Sequence, residues 1–109
     1  MPVVFCLNGQ FVSEADAKVS LFDHGYLFGD GIFETLRAYE GSIFRLGQHL
    51  DRLWRSAKYF HFSIPYSKDE LGELSRKALN QSGLEDAYLR ITISRGVGDR
   101  GIDPEACKS

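Results

Sequence analysis

The hydrophobic period of this chain changes twice, and those changes confine the fold it can adopt. From Leu46 onward Leu46, Leu50, Leu53, Trp54, Ala57 and Phe60 recur every three or four positions, the pattern of a helix with one apolar face. Arg52, Arg55, Ser56 and Tyr59 fall on the other face. On either side the period is two. Residues 32–39 read as a strand ending at the Glu40-Gly41 turn, with residues 42–45 returning as its partner. In Ala87–Ser94, Leu89, Ile91 and Ile93 alternate with Tyr88, Arg90, Thr92 and Ser94. A second helix is expected between these blocks, because Ser67-Lys68-Asp69-Glu70 forms a capping box. Leu71, Leu74, Ala78 and Leu79 supply its apolar stripe, and Gly83 a left-handed stop that ends it near Ser82. Upstream, Asn8-Gly9 between residues 3–7 and Gln10–Val12 predicts a β-hairpin, since a type I′ turn needs positive φ twice. Residues 13–18 read as a loop. The order of elements predicts an α+β fold, with both helices on one face of a mainly antiparallel sheet.

Composition narrows the function classes. The 109 residues make one ordinary domain, and 43% apolar content supports a packed core rather than disorder. Thirteen Lys and Arg against fifteen Asp and Glu leave a net charge of −2, so nucleic acid is not an expected partner. Apolar runs are far shorter than the roughly 20 residues that span a bilayer, and Met1-Pro2-Val3 does not begin a secretory signal, so no membrane association and a cytoplasmic location are expected. Cys6 and Cys107 lack metal or redox spacing, and are read as unpaired thiols. His24, His49 and His61 form no metal-binding pair, so no metal is expected. The run Arg95-Gly96-Val97-Gly98-Asp99-Arg100-Gly101 contains GxGxxG, yet Ile102-Asp103-Pro104 stands where a dinucleotide-binding helix would begin. What remains is a plain turn or an active-site loop.

Two sets of polar residues stand out. Arg90 beside Tyr88, and Arg52 beside Tyr59, can each hold a carboxylate or phosphate, although solvated faces also carry such residues. Glu34 shares a strand face with Ile32, Leu36 and Ala38. Either that face is partly wet, or Glu34 anchors a polar network.

The segment from Asp23 to Arg37, Asp-His-Gly-Tyr-Leu-Phe-Gly-Asp-Gly-Ile-Phe-Glu-Thr-Leu-Arg, resembles the class IV (fold type IV) aminotransferases. Phe44-Arg45-Leu46, His49-Leu50-Asp51-Arg52-Leu53, Ser56-Ala57-Lys58, Ala87-Tyr88-Leu89-Arg90 and Arg95-Gly96-Val97-Gly98-Asp99 follow in family order. The resemblance implies transamination with pyridoxal 5'-phosphate, in which the cofactor carries the chemistry and the protein orients it. It also implies that residues 1–109 form the small N-terminal domain. The Schiff-base lysine would lie in a larger second domain, since Lys18, Lys58, Lys68, Lys77 and Lys108 do not match its motif. By itself the chain is expected to be inactive, and Lys108-Ser109 to lie in a loop.

By the same resemblance, Arg52 matches the arginine that binds the cofactor phosphate. Phe28 and Phe33 fall in the substrate side-chain pocket, Phe28 where a tyrosine is common. Tyr88 and Arg90 match polar substrate-facing positions, while Arg100 and Ile102 fall in an interdomain loop that contacts substrate. Arg100-Gly101-Ile102 lacks the histidine of the Arg-x-His pair used by D-amino acid aminotransferases, which favours a branched-chain L-amino acid and 2-oxoglutarate as substrates. The family also implies a homodimer. D-amino acid aminotransferase and aminodeoxychorismate lyase are the alternatives within it, and a non-catalytic binding or oligomerisation domain is the alternative outside it.

Overall fold

A computed structural model describes residues 3–98 and 107–108. The chain opens with a hairpin of β1 (Phe5–Leu7) and β2 (Gln10–Val12), paired antiparallel with Leu7 opposite Gln10. Its turn residues Asn8 and Gly9 take φ of 52° and 82°, the double left-handed step expected of the Asn-Gly turn. The connector that follows is not wholly irregular, for Glu14–Asp16 forms one 3-10 turn.

A short helix, α1 (His24–Phe28), interrupts the glycine-rich stretch where the sequence pattern gives no helix. Asp23 caps it by accepting a hydrogen bond from the Gly25 N–H, and Gly29 closes it in the left-handed region.

The main sheet has the order β4-β3-β5, with β3 (Gly31–Tyr39) at its centre and β4 (Ser42–Ile43) and β5 (Ala87–Ser94) antiparallel to it. β5 pairs with β3 from Gly31 opposite Ser94 to Ala38 opposite Ala87. β4 pairs only with Ala38 and Tyr39, so the returning strand is shorter than residues 42–45. Arg45 turns out of it at a φ of 53° and becomes the N-cap of the next helix.

That helix, α2 (Leu46–Tyr59), buries Leu46, Leu50, Leu53 and Ala57 against Ile32 and Leu36 of β3. Trp54 packs at the edge of this core. Phe60 departs from the expected apolar stripe. It lies just beyond the last helical residue and is 52% exposed, because leaving the helix removes it from the buried face.

The second long helix, α3 (Lys68–Ser82), has the expected capping box, Ser67 accepting from the Glu70 N–H and Glu70 accepting from the Ser67 N–H. Gly83 ends it at a φ of 69°, a conformation that costs a residue with a side chain more than it costs glycine. Leu71 joins the common core and Leu79 is also buried, whereas Leu74 and Ala78 are half-buried. Each fully buried leucine contributes about 1.5–3 kcal/mol of transfer free energy. Both helices lie on the side of the sheet marked by Ile32 and Leu36, as the α+β reading requires.

A last pair, β6 (Val97–Gly98) and β7 (Cys107–Lys108), is antiparallel with Val97 opposite Lys108. Lys108 is therefore in a strand and not in a loop, since the Gly-rich turn after β5 offers its backbone a partner. Among the described residues no helix is long and apolar enough to cross a membrane.

Candidate active site

Strict alternation along β3 sorts its residues between two environments. Ile32, Glu34, Leu36 and Ala38 are buried, while Gly31, Phe33, Thr35, Arg37 and Tyr39 are exposed on the helix-free face.

On the buried face Glu34 anchors a polar network, which settles the choice its position left open. The carboxyl is 3% exposed and accepts from Arg52 Nε at 2.7 Å through Oε1. Its Oε2 lies 2.9 Å from His49 Nδ1. His49 and Arg52 are three positions apart on α2, so one helical turn delivers both donors to one carboxylate. Burial pushes the Glu34 pKa up, but the hydrogen bonds and charges of His49 and Arg52 pull it down more strongly, leaving it below the ordinary glutamate value of 4.5. Arg52 remains 67% exposed at its side chain. Its Nε is committed to Glu34, and among the described residues its two terminal nitrogens carry no hydrogen bond.

The open face carries a second constellation. The Arg90 guanidinium stands 4.3 Å from the centre of the Phe33 ring, and that of Arg37 stands 4.0 Å from the Tyr88 ring. Arg37 also donates to the Tyr88 hydroxyl. Register explains both pairs: Thr35 faces Arg90 and Arg37 faces Tyr88, so the long side chains meet across the strands. Phe33, Tyr88 and Arg90 are thus brought together. The sequence reading gives Arg37 no role, although its alternation with Phe33 places it on the same face.

Phe28 sits apart, at the end of α1, with its ring edge-on to His24 at 5.0 Å. It lines a shallow cleft with Asp30, Phe60, Phe62 and Arg95. Arg95 fixes one wall of that cleft. It pairs with Asp30 at 3.1 Å, donates to the Phe60 and His61 carbonyls at 3.0 and 2.7 Å, and lies 3.8 Å from the Phe62 ring centre. Arg100 and Ile102 lie outside the described residues. Among the described residues no group of three or more His, Cys, Asp or Glu side chains is arranged to hold a metal ion.

Residues 31–109 match the sequence pattern of the family described as Amino-transferase class IV. The chain belongs to that family. It is 52% identical over 101 residues to a Methanocaldococcus jannaschii protein named "Putative branched-chain-amino-acid aminotransferase", covering 93% of this chain and 35% of that protein. It is 46% identical over 94 residues to a D-alanine aminotransferase of Staphylococcus aureus, covering 86% of this chain and 33% of the relative. Among solved structures, the branched-chain amino acid aminotransferase of Escherichia coli superposes with a TM-score of 0.84 at 36% identity, covering 89% of this class IV chain and 33% of the enzyme. A second branched-chain amino acid aminotransferase, complexed with N-(5'-phosphopyridoxyl)-L-glutamate, gives a TM-score of 0.89 at 32% identity, covering 95% of this chain and 36% of that one. The chain therefore spans about a third of the length of the relatives it matches, and its α+β architecture is that of the corresponding part of a fold type IV aminotransferase.

Proposed function

We propose that this chain is the small N-terminal domain of a pyridoxal-phosphate-dependent transaminase that exchanges the amino group between a branched-chain L-amino acid and 2-oxoglutarate. The observation that carries the reading is the 52% identity over nearly the whole chain to a protein named "Putative branched-chain-amino-acid aminotransferase". The open sheet face agrees with it. Arg90 and Arg37 offer charge-assisted donors for a carboxylate, and the Phe33 ring offers an apolar surface for an aliphatic side chain.

Pyridoxal phosphate, when bound, supplies the electron sink for transamination. The residues present fit its phosphate: the terminal nitrogens of Arg52 form a planar fork held at the rim of a buried carboxylate. Arg52 binds and orients through that fork. Phe33 and Glu34 are consecutive and face opposite sides of β3, so one ligand reaching both clusters would pass the edge of β3 that, among the described residues, β4 leaves unpaired below Arg37. Tyr88, Arg90 and Phe33 orient the amino acid, Phe28 borders its side-chain pocket, and Arg100 and Ile102 contact it from the following loop. The Schiff-base lysine comes from a second domain, and the active protein is a cytoplasmic homodimer. A D-amino acid substrate is the second reading, favoured by the 46% identity to a D-alanine aminotransferase.

The test is transamination by the full-length protein with 2-oxoglutarate as acceptor and L-leucine or D-alanine as donor. Turnover of L-leucine and not D-alanine is expected, and the reverse preference establishes the second reading. Failure to use either donor overturns both. Substituting Tyr88 or Arg90 with Ala is expected to raise KM for the amino acid several-fold with cofactor affinity unchanged, because these residues stand on the substrate side. Equal loss of cofactor by both variants refutes that division.

A further inference from the structure

The buried Glu34 is costly as a packing element. It occupies a position whose strand neighbours on the same face are Ile32, Leu36 and Ala38, all in or beside the core. Ionised carboxylates leave water at a cost that well-packed apolar residues avoid, and replacing a buried ion pair by apolar residues is often neutral or stabilising. Stability alone therefore does not explain an ionised glutamate here.

The geometry explains it. Each carboxylate oxygen holds one donor, Arg52 Nε at 2.7 Å and His49 Nδ1 at 2.9 Å. The Arg52 head is mostly exposed and would otherwise sample many rotamers, whereas the bond to Nε fixes the plane and direction of the guanidinium. The proton on His49 Nδ1 is directed at the second oxygen, and keeps the carboxylate from rotating away.

We propose that Glu34 is a positioning residue that aims the terminal nitrogens of Arg52 outward at a phosphate, with His49 bracing the carboxylate. The proposal rests on the reading that Arg52 receives the cofactor phosphate. A preorganised fork binds a phosphate without first losing rotamer freedom, so the Glu34 contact acts through Arg52 and touches no ligand itself.

The experiment measures equilibrium binding of pyridoxal phosphate and of pyridoxal to the full-length protein, by the change in ligand absorption. The ratio of the two dissociation constants isolates the phosphate contribution. Arg52→Ala is expected to collapse the preference for the phosphorylated probe. Glu34→Leu, which keeps similar volume, is expected to reduce it about tenfold, the scale of one hydrogen bond to a charged group. Glu34→Gln is expected to recover most of that loss, because its carbonyl oxygen still accepts from Arg52 Nε. If Glu34→Leu fails to fold, Glu34→Asp serves in its place: it keeps the charge, withdraws the acceptor by one methylene, and is expected to lower the ratio. A phosphate preference that survives Arg52→Ala overturns the reading of Arg52 and the proposal together. A preference lost in Arg52→Ala but intact in the Glu34 variant overturns the proposal alone, as does equal weakening of both probes by that variant. A protein that binds neither probe overturns both.

Discussion

Removing the Arg95 side chain is expected to destabilise the fold by about 3 kcal/mol, more than most single polar substitutions. Arg95 is 13% exposed and its partner Asp30 25%, so neither is fully hydrated. Two contacts reach the Asp30 carboxylate, Nε at 3.1 Å and Nη2 at 3.3 Å. A hydrogen bond to a charged group is worth roughly 1.5–3 kcal/mol, and stranding a fully buried charge costs about 3–5 kcal/mol. The partial exposure of Asp30 brings the sum toward the lower end of that range. The Phe60 and His61 carbonyls add little, because water replaces the guanidinium at those exposed atoms. Loss of the stacking on Phe62 adds about 0.5–1 kcal/mol. Arg95→Lys keeps the charge without the fork, and should lose about half as much. Urea denaturation followed by far-ultraviolet circular dichroism reads both values, with an unchanged m-value as the control. A loss below about 1 kcal/mol for Arg95→Ala would refute the reasoning, since it would mean that water serves Asp30 as well as the arginine does.

Gly25→Ala is expected to cost about 1–3 kcal/mol, because the new Cβ would stand 2.8 Å from the Ser94 Cβ and 3.0 Å from Asp23 Oδ1. Thermal unfolding checks it, and an unchanged midpoint would show that α1 shifts freely against β5. The Glu34 pair makes stability depend on pH in a fixed direction. The folded pKa lies below the ordinary 4.5, so the contribution is complete above that value and disappears as pH falls through the lower folded one. Acid titration of Glu34→Gln should lack that part of the loss, and a profile identical to that of the unsubstituted protein would contradict the assignment.

The long elements were legible because their periods are local properties of the sequence. Both long helices and the two long strands follow from apolar spacing, and the end of α3 follows from Gly83. The short helix α1 escaped that reading because five residues cannot display a period. Its signals were the Asp23 cap and the Gly29 stop. Phe60 shows the opposite failure, a spacing that continues one step beyond the helix. The Glu34 network was half visible. An acid on an apolar strand face demands a donor, but its two donors become evident only when α2 is laid on the sheet. The role of Arg95 was invisible, since its partners lie 33 to 65 positions away in sequence, from Phe62 at one extreme to Asp30 at the other.

The alternation of β3 also divides what can change from what cannot. Ile32, Glu34, Leu36 and Ala38 are buried, whereas Phe33, Thr35 and Arg37 are exposed on the helix-free face and can be exchanged one at a time with little repacking of the domain. On the proposed reading that this face meets the amino acid, point substitution at the odd-numbered positions of β3 can alter substrate preference while leaving the core in place. A single-residue deletion within the strand would be a different event, for it would turn every residue on one side of the gap to the opposite face of the sheet.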